Sequence, residues 1–113
     1  DYDCGLAAGA GDNEYLTEVE RTLAIAQKFN PDAVFYIAGA DPFIEDSLGQ
    51  LNVTDEGLRQ RDALLFSTFT EAKIPIAVSM GGGYCKDIDR IVALHFQTVQ
   101  LALKYTSSFE GIN

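Results

Sequence analysis

Segments with apolar residues at helical spacing alternate along the chain with short, largely apolar runs, and this order predicts three helices and two strands. We predict that Asp12 caps the first helix, because an aspartate can accept hydrogen bonds from the free N–H groups of a first turn. The helix should end near Phe29, where Asn30-Pro31-Asp32 stops it. Its apolar face consists of Leu16, Val19, Leu23 and Ala26.

The two apolar runs are "AVFYIA" (residues 33–38) and "PIAVSM" (residues 75–80), which Pro75 opens. The first is apolar on both faces, a pattern typical of a strand that helices cover on each side. We therefore predict a central strand there and a second buried strand after Pro75.

Two further helices follow from the same spacing. Thr54 is placed to cap the second helix, whose shared face is Leu58, Leu65, Phe69 and Ala72. Asp87 is placed to cap the last helix, which should run to about Tyr105. That helix is predicted to bury Ile88, Val92, His95, Val99 and Ala102.

This order of elements predicts an α/β layered fold with a parallel sheet. No repeat or linker divides the chain, so we take residues 1–113 as one unit. In such sheets the functional loops lie at the carboxyl ends of the strands. Residues 39–41 and 81–84 both follow a strand, and we expect them to face one another across a common site.

Composition narrows the class of protein. The chain has 113 residues, 47% of them hydrophobic, and a net charge of -9. An acidic surface repels phosphates, which argues against nucleic-acid binding and for a cationic partner. No apolar run reaches membrane-spanning length, and no leader is visible, so we expect a protein outside membranes. Cys4 and Cys85 read as reduced thiols, and we predict a cytoplasmic location.

The candidate chemistry lies in the two loops after the strands. Asp41 could cap a turn through Pro42, or its carboxylate could bind a metal, since an unpaired charge beside a buried strand is costly. Gly81, Gly82 and Gly83 can turn sharply and let the backbone approach a ligand. Tyr84 either packs or is held with its hydroxyl toward the strand edge.

We interpret the other prominent polar residues as having structural roles and no role in catalysis. His95, the only histidine, lies on the apolar stripe of the last helix and is interpreted as a core or boundary residue. No Ser-His-Asp or Cys-His arrangement can be assembled around it. Glu45-Asp46 is interpreted as a solvated turn, and Asp55-Glu56 as the acidic first turn of a helix.

Three segments in register resemble the histone deacetylase and acetylpolyamine amidohydrolase superfamily, with class IV deacetylases especially similar. They are "GAGDNEYL", "NPDAVFYIAGADPFIEDSLGQLNVTDEGLRQRD" and "IPIAVSMGGGYCKDIDRIVALH", which together cover nearly the whole chain. The resemblance implies a three-layer arginase/deacetylase-like fold of which only the C-terminal portion is present. It also implies zinc-dependent removal of acyl groups from acylated lysine or polyamine.

The resemblance carries roles to particular residues. Asp41 corresponds to a ligand of the catalytic zinc, and the cation would compensate its buried charge. Tyr84 corresponds to the tyrosine that stabilises the tetrahedral oxyanion, and Gly82 and Gly83 to the loop that contacts substrate. Zinc would polarise the acyl carbonyl and activate a water.

Departures from the family keep a second hypothesis open. Gly5 and Ala7 stand where prolines are usual, and Glu45 where glycine is usual. The family's D-x-H pair and adjacent histidines are absent, and the chain begins with Asp1, so we expect a part of a longer enzyme that is inactive alone. The alternative is a non-catalytic α/β assembly module, and self-association as a homo-oligomer is left open.

Overall fold

A computed structural model describes residues 1–110, with side chains described to Thr106, so the end of the predicted unit lies outside the described residues. The described part contains the predicted order of helices and strands. These are α1 (Asp12–Lys28), β1 (Val34–Gly39), α2 (Asp55–Glu71), β2 (Ile76–Gly81) and α3 (Ile88–Glu110). The last helix continues past its predicted end. No helix of the described part is long and apolar enough to cross a membrane.

The two strands pair in parallel, as predicted. Val34 lies opposite Ile76, and Gly39 lies opposite Gly81, so both strands end at the same edge. Residues after Gly39 and after Gly81 therefore begin side by side. The α/β class and the parallel sheet are confirmed.

Two of the three predicted helix caps are confirmed. The Thr54 side chain accepts a hydrogen bond from the Gly57 N–H at 3.0 Å. The Asp87 carboxylate accepts one from the Asp89 N–H at 3.0 Å. Both satisfy donors that a helix start leaves without an intrahelical partner.

The predicted cap of α1 is wrong. Gly11 occupies the cap position, and Asp12 is the first helical residue. The Asp12 carboxylate instead accepts from the backbone N–H of Thr54 at 2.8 Å and from its hydroxyl at 2.6 Å. A Cβ on Gly57 would overlap the Asp12 carboxylate, so glycine at this position leaves room for the contact. Asp12 therefore ties the starts of α1 and α2 together.

The core has two apolar clusters. One lies under the loop after β1 and contains Ala40, Phe43, Val53, Leu58 and Leu94. The other packs one face of the sheet against α2 and α3 and contains Tyr36, Ala38, Phe66 and Leu101. Together they hold the carboxyl edge of the sheet against both helices.

The opposite face of β1 is bare in the part of the chain that the structure describes. Phe35 is 85% exposed and Ile37 is 71% exposed, because α2 and α3 both pack on the Tyr36 side. The expectation of helices on each side is therefore wrong for the chain by itself. Strand residues alternate between faces, and only one face has a covering layer here.

The predicted buried face of α3 is mostly wrong. Among the α3 side chains that the structure describes, Leu94, Thr98 and Leu101 are buried, whereas Ile88, Val92 and Val99 are exposed. His95 is half-buried, and Ala102 is half-buried against the cluster of Tyr36 and Phe66. This helix is apolar on more than one face, so spacing alone could not select the face that meets α2. On α2, likewise, Leu65 is half-buried and Ala72 is exposed at the helix end.

Candidate functional site

The loops after β1 and β2 meet at the carboxyl edge of the sheet, as predicted. The Ala40 N–H donates to the Gly81 carbonyl at 3.0 Å, which extends the strand pairing by one residue. The Gly83 N–H then donates to Asp41 Oδ1 at 3.0 Å. The structure thus brings Asp41 and the glycine loop into direct contact.

Asp41 is exposed, so the expectation of a buried charge is wrong. The sheet edge is open in this chain, and water can reach the carboxylate. Its hydrogen bond crosses to Gly83 instead of capping a turn through Pro42. Among the described residues, Oδ2 takes part in no hydrogen bond, and this atom is the one left for another ligand.

Gly82 and Gly83 let the backbone lie against that carboxylate. Gly82 has φ +62° and Gly83 has φ +106°, a region that disfavours residues with a Cβ. A Cβ on Gly82 would overlap the Asp41 carboxylate, and one on Gly83 would lie 2.9 Å from Ile91 Cγ2. These glycines are required for the contact between the loops, and their predicted contact with substrate stays a prediction.

Tyr84 follows the glycine turn with its side chain 52% exposed. Its backbone is held on both sides, because its N–H donates to Asp46 Oδ2 at 2.8 Å and its carbonyl accepts from Ser47 at 3.2 Å. The arrangement fixes the backbone and leaves the ring at the open edge.

Asp46 holds Tyr84, and sequence reasoning missed it. Its side chain is buried, and its Oδ1 accepts from the N–H groups of Leu48 at 2.9 Å and Gly49 at 2.7 Å. The interpretation of this pair as a solvated turn is wrong for Asp46. An aspartate followed three residues later by glycine is a turn signature that could have revealed it. Glu45 does lie at the surface, paired with Arg90 at 3.0 Å.

The pKa of Asp46 lies below its usual value. Burial alone would raise it, but the backbone N–H groups of Tyr84, Gly49 and Leu48 stabilise the charged form and outweigh burial. A folded pKa below the unfolded value means that Asp46 stabilises the fold above its unfolded pKa of about 3.9. That contribution is lost as the pH falls through the folded pKa.

We expect Asp46→Asn to remove this pH dependence. An amide must turn its NH₂ toward a backbone N–H on one side, so the variant should be less stable at neutral pH by about 1–3 kcal/mol. The gap to wild type should close at low pH, measured by urea unfolding across the acid range. Glu45→Gln, an exposed neighbour, is the control and should show little gap. A constant gap down to the lowest pH would refute the role.

A buried polar network lies beneath this edge and was not foreseen. Asp62 is 0% exposed and accepts hydrogen bonds from the hydroxyls of Tyr36 and Thr98. Arg61 Nη2 lies 2.9 Å from Asp62 Oδ1, and Arg61 Nη1 donates to the Gly39 carbonyl at 2.6 Å. The sequence does contain a sign of this network: Arg61 and Asp62 are charged, yet they lie between Leu58 and Leu65 on the apolar face of the helix.

Burial and neighbouring charged groups together set the protonation of Tyr36 and Arg61 in this network. Burial raises the pKa of Tyr36, and Asp62 raises it further against the opposing charge of Arg61, so the phenol stays a donor. Burial works against the charge of Arg61, but Tyr36, Tyr15 and Asp62 outweigh it and the pKa is raised. The network therefore holds a permanent guanidinium under the sheet.

The described residues do not form a metal centre by themselves. No group of three His, Cys, Asp or Glu side chains lies close enough to hold an ion in the part of the chain that the structure describes. A catalytic zinc normally takes three protein ligands, and the Asp41 carboxylate would be only one of them. The histidine, His95, faces Gly83 from α3, and Cys4 and Cys85 are free thiols.

The sequence and the fold both match known proteins. The histone deacetylase domain family matches residues 1–99. An uncharacterised protein of Picosynechococcus sp. is 41% identical over 96 residues, which cover 84% of this chain and 32% of the relative. Histone deacetylase 2 of Arabidopsis thaliana is 33% identical over 94 residues, covering 82% and 24%.

Among solved structures, an acetylpolyamine aminohydrolase from Burkholderia pseudomallei has a similar fold. The TM-score is 0.67 at 20% identity, and the match covers 95% of this chain and 28% of that one. The chain spans 24% to 32% of the length of these relatives.

Proposed function

The chain belongs to the histone deacetylase family, and from this we propose that residues 1–113 are the C-terminal part of a single deacetylase catalytic domain. The similar fold of the aminohydrolase supports a portion of the three-layer arginase/deacetylase architecture. The bare faces of β1 and α3 are where the rest of such a domain would pack.

The proposed activity of the full-length protein is removal of acyl groups from acylated lysine or a related amine such as a polyamine. One observation carries it: the glycine loop holds Asp41 and Tyr84 at the same strand edge, through Gly83 N–H to Asp41 and Tyr84 N–H to Asp46. This arrangement would offer a metal-binding oxygen from Asp41 and a phenol donor from Tyr84 at one edge of the sheet.

The chain's residues would act in distinct ways. Asp41 would be one zinc ligand, using the oxygen that Gly83 leaves free, and the other ligands would come from outside this sequence. Bound zinc supplies Lewis-acid and water-activating chemistry. Tyr84 would donate its hydroxyl to the oxyanion of the reacting carbonyl. Gly82 and Gly83 would let the substrate approach the backbone.

The test is hydrolysis of an acetyl-lysine peptide and of an acetylpolyamine by the zinc-loaded full-length protein. We expect turnover by that protein and none by the 113-residue chain, which lacks ligands. Protein stripped with a chelator is the control, and activity should return with added zinc. A zinc-loaded, folded protein that hydrolyses neither an acetyl nor a longer acyl substrate would refute the activity.

The alternative function is a non-catalytic assembly module. The exposed Phe35 and Ile37 favour it, because bare apolar surface is a feature of interaction sites and would also suit a homo-oligomer. The encoded sequence before Asp1 separates the two: a D-x-H pair and adjacent histidines there support the enzyme. We further propose a cytoplasmic location and, from the net charge of -9, no direct contact with nucleic acid.

A further inference from the structure

Arg61 lies beneath the candidate site and contacts the main chain of the strand that leads into the site. The side chain is only 7% exposed, on the turn of α2 that faces the end of β1. Its Nη1 donates to the carbonyl of Gly39 at 2.6 Å. Gly39 is the last residue of β1 and stands two residues before Asp41. A charged side chain thus donates to the backbone at the point where β1 ends and the loop with Asp41 begins.

The guanidinium has one orientation because Asp62 fixes it. Arg61 Nε donates to Asp62 Oδ1 at 3.0 Å, and Arg61 Nη2 lies 2.9 Å from the same oxygen. Asp62 is in turn held by hydroxyls from β1 and α3, those of Tyr36 and Thr98. Hydrogen bonds to an ionised, buried partner are strong and directional. The network therefore aims Nη1 at a fixed point at the strand end.

A displacement of Gly39 would be transmitted to both loops. Gly39 pairs with Gly81, and the next residue, Ala40, donates to the Gly81 carbonyl at 3.0 Å. Asp41 then accepts from Gly83 at 3.0 Å. These contacts are consecutive along the strand end, and only Ala40 separates Gly39 from Asp41 in the chain.

We propose that Arg61, oriented by Asp62, is a positioning residue of the candidate site. Its hydrogen bond to Gly39 sets the place of the Asp41 carboxylate and of the glycine loop that faces it. Arg61 touches neither substrate nor metal in this role. The consequence for catalysis rests on the proposed deacetylase function, whereas the effect on the loops does not.

Backbone hydrogen exchange in the full-length protein tests the effect on the loops. Arg61→Met keeps the length of the side chain and removes its donors. Losing a charged hydrogen bond should speed exchange of the Ala40 and Gly83 amides by roughly tenfold to a hundredfold relative to amides in the second half of α1, which lies away from Arg61 in the chain. Tyr15→Phe is the matched control, since it removes another contact of Arg61 Nη1, at 3.3 Å, and leaves Gly39 bonded.

The control should leave exchange at Ala40 and Gly83 within about threefold of wild type. If Arg61→Met does not fold because Asp62 is left buried and unpaired, the double variant Arg61→Met/Asp62→Asn removes that charge and serves instead. Unchanged exchange at both amides, or equal acceleration in Tyr15→Phe, would overturn the proposal.

Kinetics give a second reading that a purely structural role would not produce. At a temperature where both variants are folded, we expect Arg61→Met to lower kcat by about tenfold with KM nearly unchanged, because reacting groups are misplaced. Arg61→Lys should recover part of kcat. If wild type itself does not hydrolyse an acylated amine, the deacetylase proposal fails, while the exchange result still decides the position of the loops.

Discussion

Replacing Tyr84 by phenylalanine in the full-length protein is expected to lower deacetylation turnover by about 10²–10³, or roughly 2.7–4 kcal/mol, the cost of losing one oxyanion donor elsewhere. The ring and its backbone contacts with Asp46 and Ser47 do not depend on the hydroxyl. The proposed donor acts mainly in the transition state, so KM should change less than kcat.

Steady-state kinetics on an acetyl-lysine or acetylpolyamine substrate, beside a zinc assay and a melting curve, check this result. Tyr2→Phe, an exposed tyrosine at the other end of the chain, is the control and should keep full turnover. If Tyr84→Phe turns over substrate as fast as wild type, Tyr84 is only a packing residue and does not stabilise the oxyanion.

We expect Asp41→Ala to abolish the stoichiometric zinc binding proposed for the full-length protein, and the proposed activity with it. Removing a group that only supports a metal ligand typically costs about 10–100-fold in affinity, and a ligand itself should cost more. The change also removes the acceptor of the Gly83 N–H, so the glycine loop should loosen. Elemental analysis of purified wild type and variant measures the zinc.

Asp41→Asn separates these two effects. Its amide oxygen can still accept from Gly83, so the loop should stay ordered, whereas an uncharged side chain is a poorer zinc ligand. We expect Asp41→Asn to retain the Gly83 hydrogen bond and still bind zinc far more weakly. Equal zinc content in wild type and Asp41→Ala would end the ligand assignment. The 113-residue chain alone should bind zinc only weakly, because it lacks the other ligands.

Contacts between residues close together in the chain are the ones that the sequence predicted correctly. Thr54 and Asp87 act within three residues of their own positions, so a short pattern is enough to identify them as caps. Asp12 shows the limit, since its partner Thr54 lies 42 residues away and no local pattern points to it. The meeting of Asp41 with Gly83 followed from topology instead, because parallel strands end at one edge.

The sequence by itself determined the order of the elements, the parallel sheet and the two loops at its carboxyl edge. Each depends on the spacing of apolar residues, which is a property of consecutive positions. The family resemblance added the proposed roles of Asp41 and Tyr84, which spacing had left open.

Only the tertiary structure decided which faces are covered and which polar groups are buried. Phe35 and Leu94 are both apolar residues of regular elements, yet one is exposed and the other buried, because burial depends on which surface another element covers. Asp62 bonds Tyr36 and Thr98 across 26 and 36 residues, and Asp46 bonds Tyr84 across 38. Such pairs exist only after the chain has packed, since no local pattern encodes which distant donor will meet a carboxylate.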